Sequence, residues 1–285
     1  MNKSSCSKIV IAGANGFVGK NLRLFLNKNE INFVSISRKK YRPLKYETRR
    51  STQYFLRKNN SRLFDCVALV NLIGLGQEEN DYSLNDVNVK LTKKMLALAK
   101  RSRIKKFIYI SGLGTSKNAL SDYFISKYNA EREIIKSGLD YTIFRASYII
   151  GKNDLLTKKL RAQTKKGKIT IPGSGKYHLQ PISINDVCKT ILFACEPEKL
   201  SNQILGLVGP DIVTFEKYIQ LFSKKKRTKI EKIKLKEIFL DVLSGSNSKY
   251  TIDELNLLVG DYTGDHKKLR DLTGIKFQKI DEFLN

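Results

Sequence analysis

The sequence predicts an α/β protein with a doubly wound parallel sheet and a small C-terminal lobe. Short, almost continuously apolar segments typical of buried strands alternate with segments whose apolar residues recur at helical spacing. Three spaced glycines separate the first such strand from the first helix. Apolar strands of this kind are covered on both faces, and right-handed crossovers place the intervening helices on the two sides of one sheet.

The strand–helix alternation covers most of the chain before residue 200. Phe17, Val18, Leu22, Phe25 and Leu26 recur at helical spacing directly after the first strand. The predicted strands are Lys8–Ala12, Asn32–Ser37, Cys66–Leu72, Phe107–Ser111 and Tyr141–Ala146. The predicted helices after the first are Leu84–Lys100, Asp122–Ser137 and Asn185–Ala194.

The end of the chain has shorter elements. Beyond Gly151 the segment PGSGKYHLQPISINDV is interrupted by proline and glycine. From about residue 205 the pattern predicts the strand ILGLVG, a helix at Phe215–Phe222, a basic segment, a second helix, a loop and terminal turns. We therefore predict a sheet domain at residues 1–200 and a small C-terminal substrate lobe at residues 201–285.

The composition is that of a folded cytoplasmic protein. Hydrophobic residues make up 41% of the 285 residues, and no apolar run reaches the roughly 18 residues of a membrane span. The N-terminus is short and polar before the first strand, so we expect no signal peptide. The cysteines form no C-x-x-C motif, which favours core thiols over metal or disulfide roles for Cys6, Cys66, Cys188 and Cys195.

Positive charge is the unusual feature of the composition. There are 53 Lys and Arg residues against 27 Asp and Glu, a formal net charge of +26. The excess is concentrated at Arg38–Arg62, Lys158–Lys168 and Lys224–Lys236. Such a field attracts a phosphorylated cofactor, RNA or an anionic membrane surface, while solvated faces in a lysine-biased proteome also explain it. The runs lack the interleaved aromatic residues of known RNA-binding modules, so an RNA or membrane partner is a secondary expectation.

The segment GANGFVG, between the first strand and the first helix, is the strongest local motif. Glycines at this spacing allow a tight turn, a close approach of the backbone to a pyrophosphate, and close packing of helix on strand. The helix N-terminus adds free N–H groups and a positive dipole. This placement predicts a Rossmann-type, NAD(P)-binding first domain. The expected cofactor contacts in the segment are Gly13, Asn15, Gly16, Phe17, Val18 and Gly19.

The end of the second predicted strand indicates which dinucleotide is bound. NAD-binding proteins usually carry an acidic residue there, which binds the ribose 2′-hydroxyl. Here the chain reads Ser37 and Arg38, followed by two lysines. Cations at this place bind a 2′-phosphate, so we expect Ser37 and Arg38 to contact the cofactor and NADP(H) to be preferred over NAD(H).

A tyrosine and a lysine four residues apart occur in the segment SDYFISKYNAE. On a helix Tyr123 and Lys127 lie on one face, as a proton-donating pair requires. The spacing alone is weak evidence in a lysine-rich chain with 13 tyrosines. It recurs at Tyr41/Lys45, Tyr54/Lys58 and Tyr148/Lys152. Only Tyr123/Lys127 has a strand-end serine, Ser111, twelve residues before its tyrosine, so we interpret the other pairs as coincidence.

Taken together, these motifs resemble the extended or atypical short-chain dehydrogenase/reductases. The similarity is strongest to the branch of NmrA-like proteins and complex I accessory-subunit-like reductases. The matching segments, in chain order, are GANGFVG, SISR, VNLIG, DVNVKLTKKMLALAK, KKFIYISGLG, YFISKYNAE, DYTIFRASYIIG and LQPISINDV. They cover residues 8–195, and the last ninety residues match only loosely.

The resemblance implies roles for individual residues. Ser111 and Tyr123 would bind the same substrate oxygen, with Tyr123 as the general acid or base. Lys127 would lower the pKa of that phenol and hydrogen-bond the nicotinamide ribose. Asn88 would be a structural residue or a relay beside the cofactor. The chain lacks the aspartate with which relatives often contact the adenine, and its C-terminal lobe is short for a sugar-nucleotide enzyme.

The resulting functional prediction is an NADP(H)-dependent oxidoreductase that acts on a carbonyl or alcohol carbon of a small molecule. Two alternatives remain open at this stage. The chain could be a non-catalytic NAD(P)H-binding regulatory or assembly protein, or a sugar-nucleotide epimerase or dehydratase. The sequence leaves the substrate and the oligomeric state open.

Overall fold

The centre of the protein is a seven-stranded parallel sheet, seen here in a computed structural model. The structure describes residues 8–52, 63–78, 81–224, 228–244 and 250–284. In chain order the strands are β1 (Lys8–Ala12), β2 (Phe33–Ser37), β3 (Glu47–Ser51), β4 (Cys66–Asn71), β5 (Lys106–Gly112), β6 (Asp140–Ala146), β7 (Ile149–Ile150), β8 (Lys168–Pro172), β9 (His178–Leu179), β10 (Ile182–Ser183), β11 (Gln203–Leu207), β12 (Val213–Thr214) and β13 (Lys229–Ile233).

Helices lie in six of the twelve intervals between consecutive described strands, and further helices follow β13. They are α1 (Phe17–Lys28), α2 (Leu91–Arg101), α3 (Asp122–Ile135), α4 (Leu155–Lys165), α5 (Ile184–Ala194), α6 (Phe215–Ser223), α7 (Leu235–Leu243), α8 (Ile252–Leu258), α9 (His266–Thr273) and α10 (Ile280–Phe283). A π-helical turn, Asn85–Lys90, leads directly into α2. Within the described residues, none of these helices combines the length and the apolar character that crossing a bilayer requires.

The strand order of the large sheet is β11-β6-β5-β4-β1-β2-β3. The chain therefore runs outward from β1 to β3, returns to the middle, and runs outward again from β4 to β11. All neighbouring pairs are parallel, as the near-continuous apolar strands predicted. The order reverses between β1 and β4, and their carboxyl ends form the crevice where such folds bind ligands.

Two apolar layers cover the sheet. On one face Leu22 of α1, Val187 of α5 and Leu269 of α9 belong to one buried cluster with strand residues. On the other face Leu98 of α2 and Ile134 of α3 belong to a second cluster. Burial on both faces explains why the central strands contain few polar residues. The predicted α/β class and doubly wound sheet are confirmed.

One strand of the large sheet was missed in the sequence. Strand β3 has the polar sequence ETRRS, inside the first basic run, and pairs in parallel with β2. It is an edge strand, so only alternate residues are covered and no apolar run is needed. The predicted helix Leu84–Lys100 also differs, because its first turn is π-helical.

The C-terminal lobe has its own small core, in which Ile169, Ile171, Tyr218 and Ile280 are buried. The predicted boundary at residue 200 is crossed by two strand pairings. Strand β11 joins the large sheet beside β6, and β13 pairs in parallel with β8. The sheet domain and the C-terminal lobe thus each contain residues from both sides of residue 200.

The same β8–β13 pairing brings two of the three basic runs together. Lys229 lies opposite Lys168 in the pairing register. The basic residues of α4 that precede β8 are exposed, including Lys158 and Arg161. Residues 225–227 of the third run lie outside the described residues. The RNA or membrane partner inferred from the charge stays a prediction.

Three of the four cysteines lie within the described residues, and all three are free thiols. Cys188 and Cys195 are buried in the core, and Cys66 is partly buried. Burial raises the pKa of the Cys66 thiol to about 11 and that of Cys188 to about 12. These thiols are therefore protonated at neutral pH, which suits packing rather than nucleophilic chemistry. Cys6 lies outside the described residues.

A buried ion pair attaches the edge strand β3 to helix α1. The Arg23 guanidinium donates two hydrogen bonds of 2.8 Å to the Glu47 carboxylate. The Tyr41 hydroxyl and the Leu44 N–H also donate to Glu47. Burial alone would raise the pKa of Glu47, but these hydrogen bonds hold it below its ordinary value. The carboxylate therefore keeps its charge inside the protein.

This pair yields a stability prediction. Replacing Glu47 with Ala leaves the Arg23 guanidinium buried without its partner, so we expect a loss of about 3 kcal/mol in the free energy of unfolding. Urea denaturation of the purified variant measures it. Asp271→Ala removes a carboxylate from the exposed Arg270 pair and is the matched control, expected to cost less than about 1 kcal/mol. Equal losses in the two variants would contradict the role assigned to Glu47.

Candidate functional site

The glycine segment forms a tight turn at the crevice between β1 and β4. Gly13 has a φ of +84°, and a Cβ added there would lie 2.7 Å from the backbone carbon of Leu72. A Cβ on Gly19 would lie 2.3 Å from the Gly13 carbonyl oxygen. The Gly16 N–H donates to that same oxygen at 3.1 Å. Any side chain at Gly13 or Gly19 would therefore displace backbone, which explains why both positions are glycine.

The first turn of α1 is suited to an anion. Its N-cap is Gly16, which has no side chain to accept a hydrogen bond from the first N–H groups. These N–H groups and the positive end of the helix dipole lie at the crevice. Gly16 is exposed, so a phosphate group can approach the backbone closely. The turn thus fits the pyrophosphate of a dinucleotide.

A hydrogen-bond chain connects this turn to the end of β2. The Asn15 amide donates to the Ser37 hydroxyl at 2.8 Å, and that hydroxyl donates to the Lys39 carbonyl oxygen at 2.8 Å. Asn15 and Ser37 thereby hold the turn and the β2–β3 loop together. The next residue, Arg38, is exposed, and its guanidinium lies 5.7 Å from the centroid of the Tyr82 ring.

The loop after β4 is held in place by Asn88, which lies in the π-helical turn. Its side chain accepts from the Leu75 N–H at 2.9 Å and donates to the Leu75 carbonyl oxygen at 3.0 Å. It also donates to the Ser126 hydroxyl of α3 at 2.8 Å, and Ser126 donates to the Tyr123 carbonyl oxygen. Asn88 is fully buried. Asn88 therefore connects the loop after β4 to the helix that carries Tyr123.

Ser111 and Tyr123 line one cavity at the carboxyl edge of the sheet. The cavity has a volume of about 340 Å³ and is also lined by Phe17 and Val18 of the glycine segment. Ser111 comes from the end of β5, and its hydroxyl lies 3.0 Å from the Thr115 hydroxyl. Tyr123 comes from the first turn of α3, and burial raises the pKa of its phenol to about 12. The phenol is therefore protonated at neutral pH and can donate.

Lys127 lies one helical turn after Tyr123 and is buried, with 4% of its surface exposed. Its Nζ lies 4.2 Å from the centroid of the Tyr109 ring. A Cβ added to Gly74 would lie 3.6 Å from this Nζ, so the ammonium is directly under the loop after β4. Burial lowers the pKa of Lys127 to about 7, and the nearby Glu131 carboxylate opposes that change.

Glu131 is itself held by an arginine. It lies one turn after Lys127 on α3 and accepts hydrogen bonds of 3.1 and 2.7 Å from the Arg145 guanidinium of β6. Only 1% of Glu131 is exposed. The two hydrogen bonds from Arg145 orient this buried carboxylate beside the helix face that carries Lys127.

The C-terminal part of the chain contributes to the cavity wall and contacts α3. The Asp253 carboxylate of α8 accepts from the N–H of Asp122, the residue that begins α3. Tyr262 lines the cavity, and its ring centroid lies 5.5 Å from that of Phe124. The Gln180 side chain accepts from the Gly264 N–H at 2.8 Å and so holds the segment that follows Tyr262. Gln180, in the LQPISINDV segment, therefore has a structural position.

The structure places the residues predicted from the sequence in two groups. Phe17, Val18, Ser111 and Tyr123 meet in the cavity. The remaining residues surround the crevice beside it; they are Gly13, Asn15, Gly16, Gly19, Ser37, Arg38, Asn88 and Lys127. Of the other tyrosine–lysine pairs, Tyr41 bonds to Glu47, and Tyr54/Lys58 lies outside the described residues.

Several cavity residues were missed in the sequence. Tyr148 lines the cavity, although its pairing with Lys152 was interpreted as coincidence. Tyr262 comes from the part of the chain with the weakest motifs. Neither carries a local sequence signal, because both reach the cavity through tertiary packing. Thr115, four residues after Ser111, could have been noticed as a second hydroxyl in the segment SGLGTS.

The fold and this site together define a class of protein. Residues 9–205, more than half of the chain, match the NAD dependent epimerase/dehydratase family. The chain belongs to that family. The resemblance to extended short-chain dehydrogenase/reductases with complex-I-subunit relatives is confirmed by this match and by the relatives described next.

Among curated proteins the chain is similar to NADH dehydrogenase (ubiquinone) 1 alpha subcomplex subunit 9, mitochondrial. It is 30% identical to the Arabidopsis thaliana protein over 149 residues, which cover 51% of this chain and 37% of that protein. It is 25% identical to the Dictyostelium discoideum protein over 156 residues, which cover 54% of this chain and 42% of that protein. The match thus spans about two fifths of each relative's length.

Solved structures with the same fold cover almost the whole chain. A human epimerase family protein, SDR39U1 (isoform 2), with NADPH, has a TM-score of 0.76 and 15% identity, with 97% of each chain covered. A nucleoside-diphosphate-sugar epimerase from Staphylococcus aureus has a TM-score of 0.74 and 16% identity, with 97% of this chain and 99% of that chain covered. At these identities the similarity establishes the fold.

The buried lysine yields a pH prediction. With a folded pKa of about 7 and an ordinary value of 10.5, Lys127 binds fewer protons in the folded than in the unfolded protein between these values. Its burial therefore destabilises the fold most at neutral pH and below, and the penalty disappears as pH rises towards 10.5. We expect Lys127→Met to raise the melting temperature by several degrees at pH 7 and by progressively less at pH 8 and 9.5.

The matched control for this experiment is Lys136→Met, which removes an exposed lysine that follows α3. We expect it to change the melting temperature little at any of the three pH values. A stabilisation by Lys127→Met that does not depend on pH would show that packing, rather than the charge of the ammonium, causes the difference.

Proposed function

We propose that the protein is an NADP(H)-dependent oxidoreductase that transfers a hydride to or from a carbonyl or alcohol carbon of a small molecule. The observation that carries this proposal is the shared cavity. A serine hydroxyl and a tyrosine phenol line it together with Phe17 and Val18 of the turn that fits a dinucleotide pyrophosphate. A proton donor thus lies beside the expected position of the nicotinamide.

Ser111, Tyr123 and Lys127 have different roles in the proposed reaction. A bound nicotinamide would supply the hydride to the carbonyl carbon in reduction and accept it in oxidation. In reduction, Tyr123 gives its phenolic proton to the carbonyl oxygen, which becomes the alcohol, while Ser111 donates a hydrogen bond to that oxygen. A protonated Lys127 stabilises the tyrosinate left behind, because an opposite charge nearby favours the ionised phenol.

The contacts at the end of β2 support NADP(H) over NAD(H). Arg38 is exposed at the carboxyl edge of the sheet, where a 2′-phosphate would lie. Glu47 is the one acidic residue in the run Arg38–Arg62. It lies opposite Phe33, at the other end of the paired strands, and is bound to Arg23. The run Arg38–Arg62 therefore offers Arg38 as a cation for the 2′-phosphate. The Glu47 carboxylate is held away from the position expected for the ribose 2′-hydroxyl.

The cofactor preference is tested by fluorescence titration with NADPH and NADH. We expect wild type to bind NADPH more tightly, and Arg38→Ala to weaken NADPH binding about tenfold or more through loss of a charge-assisted hydrogen bond. NADH binding should change little. Lys28→Ala removes a charge from the far end of α1 and serves as the control. Tighter binding of NADH by wild type would overturn the assignment of Arg38.

Turnover is tested with Tyr123→Phe, which removes only the phenolic oxygen. We expect the rate of dinucleotide-dependent carbonyl reduction to fall at least about 100-fold while dinucleotide binding is retained. Tyr128→Phe changes another tyrosine of the same helix and controls for loss of a hydroxyl from α3. Unchanged turnover in Tyr123→Phe would remove the catalytic assignment.

A second candidate function is a cofactor-binding subunit without turnover. The observation that favours it is the similarity to proteins named as subunits of a mitochondrial NADH dehydrogenase. The same pocket would then hold the dinucleotide as a structural element. This candidate predicts dinucleotide binding by wild type with no reduction of any carbonyl compound, so the turnover assay separates the two.

A third candidate is a sugar-nucleotide epimerase or dehydratase. It is favoured by the family and by the similarity of the fold to that of MoeE5 in complex with UDP-glucose and NAD. A substrate of that kind carries a diphosphate, which needs cationic or N–H partners in its binding site. This candidate therefore requires cationic or N–H groups for the diphosphate in its substrate site.

A further inference from the structure

The cavity that contains Ser111 and Tyr123 is small. Its volume of about 340 Å³ is at the lower end of the roughly 300–1,000 Å³ typical of small-molecule sites. Phe17 and Val18 line it from the glycine segment, so the reactive end of the dinucleotide would share this space. What remains accommodates a compact molecule.

The described residues that line the cavity carry no charged side chain. Lys127 is buried beside Gly74 in the loop after β4 and does not line the cavity, and the Arg145 guanidinium is bound to Glu131. A diphosphate or carboxylate placed here would lose its hydration without gaining an ionic partner, which is strongly unfavourable. The lining therefore disfavours an anionic substrate.

The walls of the cavity are apolar and aromatic. Phe124 packs so closely on the β5–α3 loop that a Cβ on Gly114 would lie 2.3 Å from its ring. Its ring centroid lies 5.5 Å from that of Tyr262, and Leu113 and Ile149 contribute aliphatic surface. Contact between this surface and an apolar skeleton is favourable, because both are then removed from water.

Five of the described lining residues carry a hydroxyl group. The Ser147 hydroxyl bonds to two backbone groups, and the Tyr262 hydroxyl donates to a backbone carbonyl oxygen. Ser111, Tyr123 and Tyr148 provide the other hydroxyls of the lining. An oxygen bound by Ser111 and Tyr123 would thus be the polar end of a molecule that is otherwise in apolar surroundings.

We infer that the substrate is a compact, uncharged aliphatic or aromatic ketone or aldehyde, or the corresponding alcohol, and not a nucleotide sugar. The inference rests on the proposed function, because it assigns the substrate of the same Ser111–Tyr123 site. The carbonyl oxygen lies at the two hydroxyls, and the hydrocarbon skeleton lies between the Phe124 ring and the aliphatic side chains.

The test is isothermal titration calorimetry on the full chain with saturating dinucleotide. The probes are the methyl ketones from 2-pentanone to 2-nonanone, with UDP-glucose as the anionic comparison. We expect the affinity for the ketones to rise roughly fourfold for each added methylene until the cavity is full. UDP-glucose should show no binding at the same concentrations.

A variant places charge inside the cavity. Leu113→Asp introduces a carboxylate into the lining, and we expect ketone affinity to fall at least about tenfold while the dinucleotide still binds. Leu240→Asp introduces the same charge at an exposed leucine of α7, outside the cavity, and should leave ketone affinity unchanged. If Leu113→Asp does not fold, the chain-length series on wild type decides by itself.

Two results would overturn the inference: ketone affinity that is independent of chain length, or binding of UDP-glucose as tight as that of 2-nonanone. The proposed function fails separately. Chain-length-dependent ketone binding without any hydride transfer would uphold the apolar site and remove the oxidoreductase. Turnover of a nucleotide sugar that is abolished in Tyr123→Phe would uphold the catalytic site and overturn the apolar substrate.

Discussion

The close approach of two backbone loops at the crevice is the constraint on which the rest of the site depends. Gly13 turns so tightly after β1 that no side chain fits between it and the loop after β4. This contact brings the N-terminus of α1 beside the loop that covers Lys127. Because β1 and β4 are central, apolar and parallel, their carboxyl ends are rigid, and loops held on them keep a constant separation.

From that crevice a buried polar network extends to the helix that carries the tyrosine. Asn71 of β4 donates to Thr92, Thr92 donates to the Asn88 carbonyl oxygen, and Asn88 donates to Ser126 of α3. A buried network whose members are hydrogen-bonded specifies one arrangement, because any shift leaves a polar group without a partner. The π-helical turn places Asn88 where it can bond to both the β4 loop and α3.

Burial and a nearby carboxylate have opposite effects on the charge of Lys127. Burial keeps the Tyr123 phenol protonated and at the same time makes the Lys127 ammonium costly. The Glu131 carboxylate, held in place by Arg145, lies one helical turn from Lys127 and partly restores the charged form of the lysine. The described residues that line the cavity are uncharged, so Lys127, Glu131 and Arg145 lie outside this lining.

The sequence by itself determined the sheet class and the glycine turn, and it predicts Ser111, Tyr123 and Lys127 as a set. Each depends on local physics: strand and helix periodicity, backbone conformation at glycine, and one-turn spacing on a helix. Only the tertiary structure decided that β3 is a strand, that Glu47 faces Arg23 instead of the crevice, and that Tyr148 and Tyr262 line the cavity. These features depend on contacts between residues far apart in the chain, and such contacts leave no periodic signal in the sequence around them.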